Sequence, residues 1–156
     1  MPETRLRSHL AYLLAEAEQA VNRGLAEALG AQGVTVEQWR ILRALSDGYG
    51  HSMGDLAAAV LMPHPTLTKA IDRLIDGALV YRRQDEVDRR RVAVYLAERG
   101  RDLLGRLDEQ AIEHHRRIEA AFGVQRTERL MRELTRLVDS VSRSTVDSAV
   151  RRQPWS

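Results

Sequence analysis

Two clusters of polar residues carry the chemistry open to this chain. The first is His64, Pro65, Thr66, Thr68, Lys69 and Arg73, which follows a double-proline break and takes the non-apolar side of a helical repeat. The second is Arg89, Arg90 and Arg91, at the end of the polar run Arg82–Arg91. A guanidinium is a planar, permanently charged fork that fits phosphate oxygens and the edge of guanine. Hydroxyls and an ammonium in the first turns of a helix can reach base edges in a groove. Each group also has a plainer reading. An arginine run is often a solvated turn, which Asp85, Glu86 and Asp88 would neutralise here. His64 reads either as a phosphate contact or as a helix cap. Arg73 reads either as a phosphate contact or as half of a salt bridge. Asp88 is expected to accept loop N–H groups or an arginine, because a carboxylate repels phosphate.

Other chemistries find little to stand on. The chain has no cysteine, which excludes disulfides, thiolate metal sites, a cysteine nucleophile and thiol redox switching. Glu113-His114-His115 invites a metal reading. Adjacent helical residues, however, point about 100° apart, so the two imidazoles do not readily share one ion. No metal or cofactor is expected. No nucleophile–base pair or paired-carboxylate cleft is recognisable, so catalysis is not expected either. Trp39 and Tyr12 sit at or beside apolar helical positions, where core packing is the default and ligand lining the alternative.

At 156 residues with 44% hydrophobic and 29% charged, the chain can bury a core and is of one-domain size. The net charge is +2, from 24 basic against 22 acidic residues, which excludes a general polycation. Lys69 is the sole lysine. That arginine bias is also what a GC-rich genome produces. Charges recur throughout the first 30 residues and no run is long enough to cross a bilayer, so no membrane partner and a cytoplasmic location are expected.

The elements that must position these residues follow from periodicity. Leu6, Leu10, Leu13, Leu14, Ala17, Val21, Leu25 and Leu29 place one apolar face on a helix over 5–29, ended by Gly30 and Gly33. Thr35-Val36-Glu37-Gln38 is a capping-box pattern opening a helix through Trp39, Leu42 and Leu45. Ser52-Met53-Gly54-Asp55 is read as a second capping box, opening a short helix from Leu56 to Leu61. After Met62-Pro63-His64-Pro65, a helix from Pro65 to Asp76 carries Leu67, Ile71, Leu74 and Ile75 on one side, with Pro65 at its first position. Val92, Val94 and Leu96 then alternate with Ala93 and Tyr95, and Leu79-Val80-Tyr81 can pair with them. That predicts a hairpin with a charged tip. Two further helices are separated by Gly123, and the tail Arg151–Ser156 has no periodicity.

The middle of this order is a helix-turn-helix followed by a β-wing. In such an arrangement one helix braces while the next enters the major groove, and the hairpin arginines reach the neighbouring minor groove. The chain resembles the MarR (multiple antibiotic resistance regulator) transcription factors. The resemblance runs through Gly54-Asp55-Leu56-Ala57, Pro65–Leu74, Gly77-Ala78-Leu79-Val80 and Asp88-Arg89-Arg90, with Val94, Leu96 and Gly100 beyond. It departs where the family often has a serine opening the recognition helix (here Pro65) and Leu-Thr closing the second wing strand (here Leu96-Ala97).

The resemblance implies a homodimer with interlocking terminal helices, two winged lobes, and repression relieved by a small-molecule effector near Trp39 and the long helices. The expected architecture is thus mainly α with a small β-wing. The winged helix-turn-helix would span about 34–99, and dimerisation helices about 5–33 and 100–148, as one MarR-type domain. Apolar stripes at Leu6, Leu10 and Leu13, and at Leu130, Leu134, Leu137 and Val141, are the expected dimer interface. The expected function is a sequence-specific repressor of a pseudo-palindromic double-stranded operator. In that setting the wing arginines Arg89 and Arg90 read as DNA contacts, whereas Arg91 begins a strand and is free to point away. The rival is a winged-helix protein-interaction module without DNA binding. An uncharged recognition helix and a wing without arginines would mark it, and this chain has neither.

Overall fold

The computed structural model describes the backbone of residues 5–150 and the side chains of residues 5–145; the tail Arg151–Ser156 lies outside them. In chain order the elements are α1 (Leu10–Gly30), α2 (Val36–Ala44), a 3₁₀ turn (Leu45–Asp47), α3 (Met53–Val60), α4 (His64–Asp76), β1 (Val80–Gln84), β2 (Val92–Leu96), α5 (Glu98–Phe122) and α6 (Val124–Val150). The chain divides into two compact units, one ending at His114 and the other beginning at His115, with the boundary inside α5. Among the described residues no helix is long and apolar enough to cross a membrane.

The first unit is built on one apolar cluster. Leu29 of α1, Ile41 and Leu42 of α2, Leu56 of α3, Leu67 and Ile71 of α4, Val94 of β2 and Leu107 of α5 are fully buried in it. Helical spacing brings Leu67, Ile71 and Leu74 to one side of α4, and burial of that side is the main favourable term holding the helix down. The winged section therefore shares its core with the end of α1 and the start of α5.

Helix ends follow local chemistry. At α2 the capping box forms in full: Gln38 N–H donates to Thr35 Oγ1 at 3.1 Å, and Thr35 N–H to Gln38 Oε1 at 3.1 Å. At α3 half of the expected box forms, with Asp55 N–H donating to Ser52 Oγ at 3.1 Å. A reciprocal bond calls for the longer Glu or Gln at this position. That helix starts at Met53 and ends at Val60, earlier at both ends than the apolar pattern suggested.

The helix expected over 5–29 begins only at Leu10, so Leu6 lies outside it. Ser8 Oγ donates to Arg5 O at 2.6 Å and His9 is extended, a local side-chain bond competing with the helical ladder. Gly123, at φ +105, makes the break between α5 and α6, in a region that disfavours any residue with a Cβ.

Two non-glycine residues among those described have positive φ, and they bracket α4: Leu61 and Ala78, both at φ 58. Gly77, expected to end the helix, is its C-cap at φ −80, so the left-handed step falls one residue later. Each such step stores strain of about 1 kcal/mol or more. The neighbouring backbone bonds, Met62 N–H to Ala57 O at 3.1 Å and Leu79 N–H to Leu74 O at 2.9 Å, close both turns.

The expected dimer residues divide by exposure. Leu6, Leu10, Leu13, Leu130 and Val141 are exposed, whereas Leu134 and Leu137 are half-buried. On α6 the four expected positions recur at spacings of four, three and four, which makes one continuous stripe.

Gly100 sets the closest approach in the first unit. A Cβ built there would lie 2.1 Å from Leu79 O and 2.8 Å from Leu96 Cδ1. The same Leu79 carbonyl accepts from Ala97 N–H at 3.0 Å, so it is not free to retreat. Gly100→Ala should therefore destabilise by about 1–3 kcal/mol through overpacking. Denaturant unfolding checks this. A midpoint equal to that of the parent would mean that α5 does not start in this contact.

Candidate nucleic-acid interface

Helix α4, expected to be the recognition helix, is presented by its N-terminus. Pro63 is its N-cap, His64 its first residue and Pro65 its second, one position later than the sequence pattern placed it. His64 is thus a helical residue rather than a cap. No side chain caps α4, and the missing N–H of Pro65 falls in the first turn, where no intrahelical partner exists anyway. The remaining first-turn N–H groups, at the positive end of the helix, are suited to a phosphate. His64, Pro65, Thr66, Lys69 and Arg73 are exposed. Thr68 is half-buried, and its hydroxyl donates to His64 O at 3.0 Å, inside the helix.

The hairpin is longer than its apolar alternation suggested. Antiparallel pairing runs from Val80–Leu96 to Gln84–Val92, so Arg82, Arg83 and Gln84 are strand residues rather than tip residues. Two of these arginines have structural partners. Arg82 reaches Asp72 of α4 at 2.9 Å, a tie between the wing and that helix. Arg83 lies 5.0 Å from the centre of the Tyr95 ring and pairs with Glu86. Tyr95 in turn stacks on Tyr81 directly opposite, with centroids 5.4 Å apart and planes 11° apart.

The tip is shaped by two aspartates. Asp85 Oδ1 accepts from Val87 N–H at 2.8 Å, and Asp88 Oδ1 from Arg90 N–H at 3.0 Å. Arg91 N–H donates to Asp88 O at 2.9 Å, its own carbonyl accepts from Asp85 N–H at 2.9 Å, and its Nε lies 3.7 Å from Asp88 Oδ2. Arg91 thus belongs to the turn rather than to β2. Asp88 takes the loop-holding place expected of it. The side chains of Arg89 and Arg90 are exposed, with no hydrogen bond or ion pair among the described residues. The structure therefore sorts five wing arginines into three that hold the hairpin and two that are free.

The loop ahead of α3 is stitched to this wing. His51 N–H donates to Val94 O at 3.0 Å, and Val94 N–H returns to His51 O at 2.9 Å. The Asp47 carboxylate holds His51 Nε2 at 2.9 Å and accepts from Tyr49 N–H at 3.0 Å. Partial burial pulls the Asp47 pKa upward. The Tyr49 N–H and the His51 ring outweigh it and hold the group below its ordinary value.

Two further groups lie away from this face. Trp39 is half-buried against the core, and its indole N–H donates to Asp108 Oδ1 at 3.2 Å, while Arg43 reaches Asp108 Oδ2 at 3.1 Å. Of the histidine pair, His114 Nε2 lies 3.1 Å from Val21 O and His115 Nε2 3.3 Å from Glu119. No three metal-ligating side chains gather among the described residues.

Residues 32–91 match the sequence model of the MarR family, a span that begins ahead of α2 and ends at the last wing arginine. The chain is 28% identical over 134 residues to the homoprotocatechuate degradative operon repressor of Escherichia coli, covering 86% of this chain and 88% of that protein. A probable transcriptional regulator from Pseudomonas aeruginosa superposes with a TM-score of 0.75 at 30% identity, over 85% of this chain and 98% of that one. NadR, solved in complex with 4-hydroxyphenylacetate, gives 0.68 at 30% identity, over 80% and 88%.

Asp47 supplies a test of the electrostatics. Its lowered folded pKa means a stabilising contribution that is present above the unfolded carboxylate value, about 3.9, and lost as pH falls through the folded value. Asp47→Asn should be less stable than the parent at neutral pH, with the gap closing in acid. Thermal unfolding from pH 7 down to pH 3 checks this. A gap independent of pH would assign the effect to shape rather than to charge.

Proposed function

The chain belongs to the MarR family, and we propose that it is a cytoplasmic transcriptional repressor that binds a pseudo-palindromic operator as a homodimer and is released by a small-molecule ligand. The observation that carries this reading is the pair of free guanidiniums, Arg89 and Arg90, beside an uncapped recognition helix to which the wing is tied through Arg82 and Asp72. In this reading α4 enters the major groove by its first turns. His64, Thr66 and the α4 amides meet phosphate, and Lys69 reaches a base edge. Thr68 contributes once its hydroxyl exchanges the His64 carbonyl for the DNA. Arg89 and Arg90 enter the adjacent minor groove, where negative potential attracts guanidinium groups. Residues 34–99 act as the reading module, the flanking helices dimerise, and no catalytic role is assigned.

An aromatic acid suits the effector role. NadR, similar over most of its length, holds 4-hydroxyphenylacetate. In this chain Arg43 lies one turn along the same helix from Trp39, so a carboxylate that displaced Asp108 from its guanidinium would lie beside the indole.

The dimer is supported by the exposed leucines of α1 and the stripe on α6. Apolar surface of this extent calls for a partner. Light scattering at micromolar concentration should give the mass of two chains, and a one-chain mass would overturn the proposal.

The two reading elements separate by what they read. The minor groove carries a degenerate code, so Arg89→Ala or Arg90→Ala should weaken binding to every duplex and lower the salt slope by about one per lost contact. Lys69→Ala should lose about 1–3 kcal/mol on the operator and less on random DNA. Binding isotherms at fixed salt on both duplexes give the ratio. If wing variants lose specificity while the helix variant keeps it, the roles are reversed. If neither matters, the protein-interaction reading takes over.

A further inference from the structure

A second concentration of arginine lies away from the wing. Arg73 at the end of α4 and Arg99 and Arg106 on α5 line one pocket of about 350 Å³ in the first unit, and no carboxylate lines it. All three side chains are exposed, and none makes a hydrogen bond or ion pair among the described residues. Asp72, the acid beside Arg73, is engaged with Arg82. Gln38 also lines the pocket. Its Oε1 is occupied by the Thr35 N–H, which leaves its amide NH₂ available as a donor. Leu74, Leu79 and Leu103 supply the apolar part of the lining.

Three like charges around one cavity repel one another unless a counter-charge enters. Guanidinium forks bind carboxylate and phosphate oxygens in paired, directional bonds. The volume is within the range of small-molecule sites. A duplex backbone meets a convex surface more readily than a pocket, so a compact molecule fits these donors better than DNA does. We infer that the pocket lined by Arg73, Arg99, Arg106 and Gln38 is a binding site for a small polyanion bearing carboxylate or phosphate groups. It is separate from the Trp39 side of α2, and of the expected DNA contacts it takes only Arg73, on a flank of α4. The inference rests on the pocket alone and stands or falls independently of the operator reading.

The test is calorimetric titration of the full chain with inorganic phosphate and, separately, with citrate, at an ionic strength held constant with chloride. Saturable binding of at least one anion is expected. Tighter phosphate points to a phosphorylated ligand, and tighter citrate to a polycarboxylate. The double variant Arg99→Ala, Arg106→Ala should bind about tenfold more weakly or worse. Gln38→Glu keeps a residue able to close the capping box while adding a negative charge to the lining, and should weaken binding similarly. Thermal unfolding in chloride establishes that both variants are folded. Absence of saturable heat with both anions overturns the inference, as does unchanged affinity in both folded variants. It is also overturned if anion binding is unaffected by the double variant while the salt slope of duplex binding falls, which would give these arginines to the DNA backbone.

Discussion

Burial of one side of α4 is the constraint from which the rest of the interface follows. Leu67, Ile71 and Leu74 are held at near-zero exposure by α2, α3 and the hairpin base. A helix has only one opposite side, so Pro65, Lys69, Asp72 and Asp76 must face outward, with Thr66 and Arg73 on one flank and Thr68 on the other. The outward acid, Asp72, is where the wing attaches. Its ion pair with Arg82 is exposed and worth little as stability. Its value is geometric, because it relates the orientation of the hairpin to the helix that the core has already fixed.

The hairpin achieves the same economy with charge. Ten residues from Arg82 to Arg91 contain five arginines and three acids, and a count of charges would predict mutual neutralisation. The turn geometry prevents this. Asp85 and Asp88 are turned inward by the N–H groups of Val87 and Arg90, and Glu86 by Arg83. The tip therefore presents Arg89 and Arg90 without their nominal counter-ions. Stacking of Tyr95 between Tyr81 and the Arg83 guanidinium stiffens the strand pair behind the tip. Gly50 makes room for that ring, since a Cβ there would lie 2.3 Å from Tyr95 Cζ.

What the sequence discloses of this arrangement is whatever is encoded locally. The Thr35–Gln38 box, the break at Gly123, the apolar side of α4 and the strand Val92–Leu96 are read within a few residues of themselves, and each forms, although the strand's alternation fails at its start, where Val92 is exposed and Ala93 is buried. The contacts that need register or folding back escape such a reading. Arg82 meets Asp72 across ten residues, and Tyr81 meets Tyr95 across a strand pairing whose length the polar composition of Arg82–Gln84 concealed. The left-handed turns at Leu61 and Ala78 escape for a different reason. Neither residue prefers that conformation, and the packing of Met62 and Leu79 on either side of α4 imposes it. At the site, residue types near the turn were legible. The sorting of the arginines into bound and free was not, because it depends on where two carboxylates point.

In the proposed repressor, ligand-driven release from DNA would be a shift between packed arrangements, and the shared core limits how that can happen. A ligand moves such an equilibrium only by its difference in affinity for the two states, about 10⁴-fold to go from almost wholly bound to almost wholly released. It must therefore touch groups whose surroundings change. The site proposed at Trp39 touches the shared core. Trp39 packs on the same cluster that buries α4, and its indole N–H and the Arg43 guanidinium share one carboxylate, Asp108 of α5. In that proposal, an acid arriving at Arg43 would compete with Asp108 for the guanidinium. The carboxylate so displaced would lose a partner, and the tie between α2 and α5 would slacken on the side where the core also carries α4. Close-packed interiors pass such a displacement on rather than absorb it. Helix α4 and the Trp39 side of α2 are thus linked through shared packing.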